Sequence, residues 1–419
     1  MMKMAVSEME NIIAAVDIGT TKVCTVIAEI RGEEINVIGV GWQENNGVAK
    51  GSVVNIADTS KAIQRSVEKA EEMANVKVES VIASISGKHI MGIKGHGMSS
   101  LSHSKQKEIA EADIDRAVEG ATSVPMSNDR ETLHVIPMQY IVDSQDEIRN
   151  PLGMTGMKLE VDAYIITGAT TAIDNVRKVI DKAGYKAEDI ILQPLGSAEA
   201  VLYNDEKDIG VLLVDIGGGT TDIALYYKDS LRFVKVIPVG GNLITTDLVQ
   251  GLQTPKATAE EIKKKYGVIY GEDAGDDEYV EVPDMGSNKV HSVLRRELTR
   301  YIKPRIQELV SFIQAELDKE NIDRSMYAGG LVLTGGSSML NGIERLVKEE
   351  TNMRVRVGAP LKEKVIGLYD IVSTPEYSTA IGLIDYYMHE QGENNSFLKR
   401  KNIFDRIWMS IKKIISEYI

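Results

Sequence analysis

One pattern occurs twice in this chain, and it narrows the possible folds more than any other feature. Residues 12–41 read IIAAVDIGTTKVCTVIAEIRGEEINVIGVG, and residues 209–241 read IGVLLVDIGGGTTDIALYYKDSLRFVKVIPVGG. Each is an apolar strand ending in Asp-Ile-Gly, a Gly/Thr turn, a second strand, a polar turn and a third strand. Asp17 and Asp215 hold equivalent places 198 residues apart. A repeat at that distance predicts two similar lobes facing each other, because solenoid repeats are much shorter.

The chain of 419 residues is long enough for two to four domains. Its 43% hydrophobic and 26% charged residues are those of a globular protein with packed cores, not of a disordered chain. A single cysteine, Cys24, excludes an internal disulfide, and the six histidines show no ligand spacing. A reducing, cytoplasmic compartment is expected. The N-terminal residues MMKMAVSEMENI lack the apolar run of a signal peptide, and no stretch is apolar for long enough to span a bilayer. A net charge of −14 argues against nucleic acid as the partner.

Helical spacing fills the gaps between the hairpins. Residues 59–74 follow Asp58 as N-cap, and 171–183 stop at Gly184. A long helical pattern runs from about 290 to 319 with Pro304 as a kink or break. Before it, GEDAGDDEYVEVPDMG carries seven carboxylates and no basic residue, and reads as a solvated loop with a short strand. Residues 87–164 depart from the alternation and are expected to form a small inserted α/β subdomain. The polar tract 389–396 reads as a linker.

The glycine turns carry the chemistry. Glycine lets backbone N–H groups approach phosphate oxygens, threonine hydroxyls add donors, and Lys22 adds a cation. Asp17 and Asp215, at the ends of facing strands, are candidate Mg²⁺ ligands, directly or through water, since Mg²⁺ keeps several waters and takes one or two carboxylates. DIGTT alone is also the sequence of an ordinary tight turn. DIGGGTTD is harder to dismiss, because three glycines weaken a strand. Neither is a P-loop or a Rossmann fingerprint, since a strand and not a helix follows each turn. A third glycine signal, LVLTGGSSMLNGIERLVKEE at 331–350, is an apolar strand entering Gly335-Gly336, where a flat base and ribose can lie against the backbone. A plain strand–turn–helix connection would read the same.

Taken in order, DIGTTK, QPLGSAEA, DIGGGTTD, LTGGSSM and YSTAIGL resemble the five-part ATP signature of the actin, heat-shock chaperone and sugar-kinase superfamily. Within it, GVAKGSVVNI, HVIPMQYIVD, VDAYIITGATTAIDN and KYGV are similar to the bacterial cell-division FtsA family. The resemblance implies an α/β, actin-like two-lobed fold with duplicated β-hairpin phosphate loops, an inserted subdomain and a C-terminal amphipathic helix. The first lobe would comprise 10–86, 165–205 and 375–388, and the insertion 87–164. The second lobe would comprise 206–255 and 325–374, with a further subdomain at 256–324. It implies ATP and Mg²⁺ as cofactors. Asp17, Gly19, Thr20, Thr21 and Lys22 match the first phosphate loop; Asp215, Gly217, Gly218, Gly219 and Thr220 match the second. Gly335, Gly336, Ser337 and Met339 match the adenosine motif, and Glu261 and Lys264 fall where the family places side chains near ribose and base. Gln193 stands near the attacking water, with Asp215 as the other catalytic candidate. An amide orients water but takes no proton, so slow hydrolysis at most is expected.

The tail gives an independent signal. In 396–419, Phe404, Ile407, Trp408, Ile411, Ile414 and Ile415 recur at three- and four-residue steps on one face. Six basic residues, Lys399, Arg400, Lys401, Arg406, Lys412 and Lys413, oppose only Asp405 and Glu417. A basic helix with such a face, expected over 397–419, suits an anionic inner leaflet. A terminal helix packed on its own domain, or one docked on a partner, would show the same stripe; the linker and the basic cluster argue against the packed helix.

The basic run Arg295, Arg296, Arg300 and Lys303 lies where the resemblance implies docking of the acidic C-terminal peptide of the tubulin-like protein FtsZ. A solvated face balanced by Glu297 is the plain alternative. The resemblance further implies self-assembly into an actin-like filament, recruitment of later division proteins and a peripheral position on the inner membrane face at the division site. A metabolic kinase of this fold would need a substrate pocket with a catalytic Asp, and a chaperone would need a substrate domain after residue 390. Pilus-assembly or plasmid-segregation relatives are the nearer alternatives.

Overall fold

The computed structural model describes residues 11–101, 107–287 and 289–393. The linker's remaining residues and the tail, with Phe404, Ile407, Trp408, Ile411, Ile414 and Ile415, lie outside the described residues. Among the described residues no helix is long and apolar enough to cross a membrane.

The two hairpin repeats seed two sheets of the same topology. In the first lobe Ile12–Ile18, Lys22–Arg31 and Glu34–Glu44 form an antiparallel meander. Ser80–Ile85 and Lys186–Leu192 then add in parallel beside Ile12–Ile18. In the second lobe Val211–Ile216, Thr221–Tyr227 and Ser230–Ile237 form the meander. Leu331–Thr334 and Val355–Val357 add in parallel beside Val211–Ile216. The inner strands are apolar on both faces because helices cover both sides; Val23 through Ala28 are all buried. Two large cores are built mainly from Ile, Val and Leu: one runs from the first lobe onto the near face of the second-lobe sheet, at Leu213, Val234 and Val236, and the other fills the far face of the second lobe.

Helix Ile56–Ala74 packs on strand Glu34–Glu44, where Gly41 leaves room for the Ser66 carbonyl: a Cβ there would lie 2.0 Å from it. Its N-cap is Asn55, whose side chain accepts from the amides of Ala57 and Asp58, so the helix starts three residues before the expected position. Helices Gln193–Val201 and Ser378–Glu393 cross where Gly382 meets the Gly196 carbonyl. That contact is too close for any side chain, and it brings the QPLGSAEA and YSTAIGL segments together under the two hairpins.

The insertion is a four-stranded sheet in the order Gln145–Ile148, Arg130–Val142, Lys158–Ala169, Met91–Ser100, with helix Glu111–Ala121 on one face. It has a small separate core around Ile109, Val118, Leu159 and Val161. Strand Lys158–Ala169 runs unbroken through the boundary expected at 164. Val365–Gly367 pairs with the first-lobe strand Glu34–Glu44, although 325–374 was assigned to the second lobe. Helix Ser378–Glu393 likewise runs through the first half of the expected linker, 389–393.

The helix expected from about 290 begins at Thr299. Val290–Leu294 instead pairs as a strand with Tyr279–Pro283, and Arg295–Leu298 is a 3₁₀ turn. Strand pairing with the acidic segment overrides helical spacing there. Pro304 is the sixth residue of the helix and does not end it.

Candidate phosphate-binding cleft

The two Gly/Thr turns are built alike and touch. The Gly19 amide donates to the Lys22 carbonyl at 3.0 Å, and the Gly217 amide to the Thr220 carbonyl at 2.9 Å. Thr20 and Thr21 of the first turn lie against the bare backbone of the second. A Cβ on Gly218 would come within 2.5 Å of the Thr21 methyl, and one on Gly219 within 2.5 Å of the Thr20 hydroxyl. Asn45 braces the first turn, its amide side chain donating to the Gly19 carbonyl at 2.9 Å. The second turn is braced from behind, where the Gly241 and Asn242 amides donate to the carbonyls of Gly217 and Gly218.

Three carboxylates gather beneath the turns. Asp17 accepts from the Ser84 hydroxyl and from the Gln193 side-chain amide, both at 2.8 Å. Asp215, 7% exposed, accepts from Ser197 at 2.6 Å and Thr379 at 3.3 Å. Asp222, 2% exposed, accepts from Ser86 at 2.5 Å and Thr220 at 3.1 Å. Burial raises all three carboxyls. Asp215 is pushed up to about 6 by burial and then by the charge of Asp17. Asp222 is pushed up to about 7 by burial and then by the charge of Asp215. Among the described residues neither Asp215 nor Asp222 is paired with a lysine or arginine. Lys22 is engaged by Glu376, with Nζ 2.7 Å from Oε2, and stands over the Tyr377 ring.

The other carboxylate cluster among the described residues is different. Glu199, Asp385 and His389 meet on the crossed helix pair, but Lys207 and Lys364 already neutralise Glu199 and Asp385. A divalent ion would have to displace two ammonium groups there, whereas the cleft carboxylates hold only hydroxyl and amide partners.

The adenosine motif joins the cleft from the second lobe. Gly335 has φ +80°, and a Cβ there would fall 2.2 Å from the Asp215 carboxylate, so only glycine suits the position. Gly336 is exposed at the cleft rim, Ser337 is buried and donates to the Gly217 carbonyl at 3.2 Å, and Met339 is 53% exposed. Glu261 and Lys264 stand on the helix Lys256–Tyr266. Both are exposed, while Glu260 and Lys263 turn inward: Lys263 Nζ donates to the Gly241 carbonyl, Thr245 and Glu260. Helical phase explains this, since Ile262 and Ala259 set the buried face and carry Lys263 with them.

Sequence reasoning missed Asp222, Ser84, Ser86, Ser197, Thr379 and Glu376. Asp222 had a signal, because it closes DIGGGTTD and pairs directly across the hairpin from Asp215. Ser197 and Thr379 lay inside QPLGSAEA and YSTAIGL.

Of the basic run at 295–303, the structure uses half internally. Arg295 forks onto Glu278 and donates to the Tyr266 carbonyl, and Lys303 lies over the Tyr270 ring at 4.3 Å. Arg296 and Arg300 are exposed.

Duplicated hairpin sheets, a cleft of glycine turns and clustered aspartates define an actin-like protein. Solved structures agree in fold. A PilM–PilN type IV pilus biogenesis complex matches at TM-score 0.63 and 17% identity, covering 88% of this chain and 97% of that one. MreB5 of Spiroplasma citri bound to ADP matches at TM-score 0.53 and 13% identity, covering 94% and 98%. The sequence settles which actin-like family this is. The model of the family described as cell division protein FtsA matches residues 212–382, and that of the SHS2 domain inserted in FtsA matches 87–167. The cell division protein FtsA of Neisseria meningitidis is 42% identical over 90% of both chains. That of Escherichia coli is 36% identical over 90% of both, and that of Bacillus subtilis 36% over 89% of this chain and 82% of its own. The chain belongs to the FtsA family of cell-division proteins.

Proposed function

We propose that this protein binds Mg-ATP between its two hairpin turns, assembles with copies of itself on the inner membrane face through its C-terminal helix, and anchors FtsZ filaments there while recruiting later division proteins. The cleft is the observation that carries this reading. Side-chain-free backbone at Gly218 and Gly219 would offer amides to phosphate once the facing threonines part from it, and Gly335 keeps a side chain out of the space beside Asp215. Half-buried Asp17 with buried Asp215 and Asp222, held by hydroxyls and an amide, would supply oxygen ligands to a hard divalent cation, directly or through its waters. When bound, the magnesium ion supplies the positive charge that lets these carboxylates and the phosphate oxygens share one site.

The chain's own residues then divide the work. Gln193, held by Asp17 and Ser84, would orient a water without accepting its proton, which favours a long-lived nucleotide state over rapid turnover. Glu261 and Lys264, exposed beside the inward pair Glu260 and Lys263, would stand near the ribose and base. Arg296, in a loose exposed pair with Asp276, and Arg300 are the exposed cations that would meet an acidic FtsZ peptide. One tail helix binds a membrane reversibly, each Lys or Arg adding about 1 kcal/mol at an anionic surface. A filament carrying many tails is held far more firmly, because each further tail attaches at high effective concentration.

The test is co-sedimentation with anionic vesicles, comparing the full chain with a version ending at Glu393, each with and without Mg-ATP. Pelleting of the full chain alone, increased by Mg-ATP, supports the coupled tether. Equal pelleting of both chains, or indifference to lipid, overturns it.

A further inference from the structure

The inserted subdomain is joined to the cleft by one short segment, Ser86–His89, which makes contacts that neither a linker nor a plain turn requires. It leaves the strand Ser80–Ile85, whose end serves both lobes at once. Ser84 donates to Asp17 of the first lobe, and two residues later Ser86 donates to Asp222 of the second. Gly87, at φ +133°, then turns the chain against Gly51: a Cβ on Gly51 would lie 2.8 Å from the Gly87 Cα. Gly51 in turn donates its amide to the Thr20 hydroxyl at 3.4 Å, at the tip of the first phosphate turn. Ser86 and Gly87 thus touch the cleft from two directions.

The far end of the segment is clamped onto the insertion. The His89 carbonyl accepts from Arg130 Nη2 at 2.8 Å. The same guanidinium donates to the Thr167 carbonyl at 2.9 Å and to the Thr167 hydroxyl through Nε and Nη2. Thr167 Oγ1 lies 3.4 Å from the Met91 carbonyl. One arginine therefore ties the entering chain at His89 to the strand starting at Arg130 and to the chain leaving at Thr167. The insertion also rests on the second lobe, where the Val234 amide donates to the Tyr164 hydroxyl and Ser230 donates to the Pro137 carbonyl, but Arg130 is the side chain that gathers these three segments at the root. The His89 ring is half-buried and lies back against Gly87, and its Nδ1 has no hydrogen-bond partner among the described residues.

We propose that Ser86–His89 and Arg130 form a relay that transmits occupancy of the phosphate cleft to the orientation of the inserted subdomain. The proposal rests on the reading of the cleft as a Mg-nucleotide site. The two turn tips are in contact, Thr20 against Gly219, and must part to admit a polyphosphate. Parting them displaces Thr20, hence Gly51 and the Gly87 packed on it. Cation binding among the carboxylates changes what Asp222 offers Ser86. Both changes arrive at the same four residues, and Arg130 delivers them to three strands together. Arg130 is here a positioning residue; it touches no cleft carboxylate among its recorded contacts.

The experiment is hydrogen exchange on the full chain without vesicles, with and without Mg-ATP, alongside titration of a fluorescent ATP analogue. In the unaltered protein, Mg-ATP changes exchange at the root amides of residues 91–100, 130–142 and 158–169 by at least about fivefold, the lower end of ordinary coupling between sites. In Arg130→Ala that ligand-dependent difference disappears while analogue affinity stays within about twofold. Thr167→Val, which removes one hydroxyl and leaves the backbone acceptor, reduces the difference and keeps the proposal testable should Arg130→Ala fold poorly. A response in both variants equal to that of the unaltered protein overturns the relay, as does normal analogue binding with no change at the root. Failure of the unaltered protein to bind the analogue overturns the functional reading, and the relay with it.

Discussion

The two phosphate turns share a backbone and differ in what they put on it. In both, an aspartate ends the first strand, a glycine amide closes the turn, and the seventh residue after the aspartate pairs across the hairpin. That paired residue is Cys24 in the first turn and Asp222 in the second. Lys22 corresponds to Thr220, and Thr20-Thr21 correspond to Gly218-Gly219. The first turn therefore brings hydroxyls and a cation, and the second brings bare amides and a second carboxylate. Duplication supplied the geometry, and divergence at a few positions made the halves complementary, threonines packing where glycines leave space.

The largest expected effect comes from making the first hairpin resemble the second at its paired position. Cys24 is fully buried, and burial pushes its thiol up to about 12, so it stays neutral beside Asp17. Cys24→Asp would bury a second carboxylate next to Asp17 with no hydroxyl donor placed for it. Its thermal midpoint is expected to fall by about 3–6 °C, as uncompensated buried charge costs roughly 3–5 kcal/mol. Cys24→Ser is the control. A Cys24→Asp protein that melts together with the serine variant would show that the asymmetry at this position is incidental.

The next effect tests the second hairpin through pH. Asp222 titrates near 7 and Asp215 near 6 in the folded protein, against an ordinary 3.8, so the native state holds protons that the unfolded chain has released. A carboxyl raised on folding contributes stability at low pH and loses it as pH climbs through the folded value. In EDTA the thermal midpoint is expected to fall between about pH 4 and 7 on this account. Asp222→Asn should flatten the upper part of that fall and melt higher at pH 7.5 than the unaltered chain. Mg²⁺ with ATP should restore the unaltered chain more than the variant. An unchanged slope in Asp222→Asn would assign the titration elsewhere.

The hairpins, the lobes and the insertion were legible because period-two apolar runs, glycine turns and helical stripes are local signals, and the repeat tied them together. The cleft's glycines and first aspartates were legible for the same reason. Asp222 was not, because its role depends on cross-strand pairing, which the motif contains but does not announce. Ser84 lies on, and Ser86 just after, a strand joined to the hairpin only in parallel, more than sixty residues away. That Glu260 and Lys263, one step before Glu261 and Lys264, form an inward pair was not legible, because helix phase is set by what a helix packs against. The misplaced helix start at 290 has a similar cause, a strand partner that spacing alone does not reveal.

The smallest effect concerns the one cation the first turn owns. Lys22 is held by Glu376 at 2.7 Å, in a pair whose two side chains remain 24% and 36% exposed. Such a pair contributes at most about 1 kcal/mol, so releasing the lysine can improve its availability to phosphate by up to about fivefold. Glu376→Gln is therefore expected to tighten nucleotide binding modestly at low salt, with the gain shrinking as salt screens the lysine. Lys22→Thr, which copies the second turn's Thr220, should weaken binding and make the Glu376 substitution silent. The two changes together then separate two meanings of the ion pair. If Glu376→Gln weakens binding while Lys22 is present, the glutamate belongs to the site itself, and the first turn carries an acid and a base where the second carries only an acid.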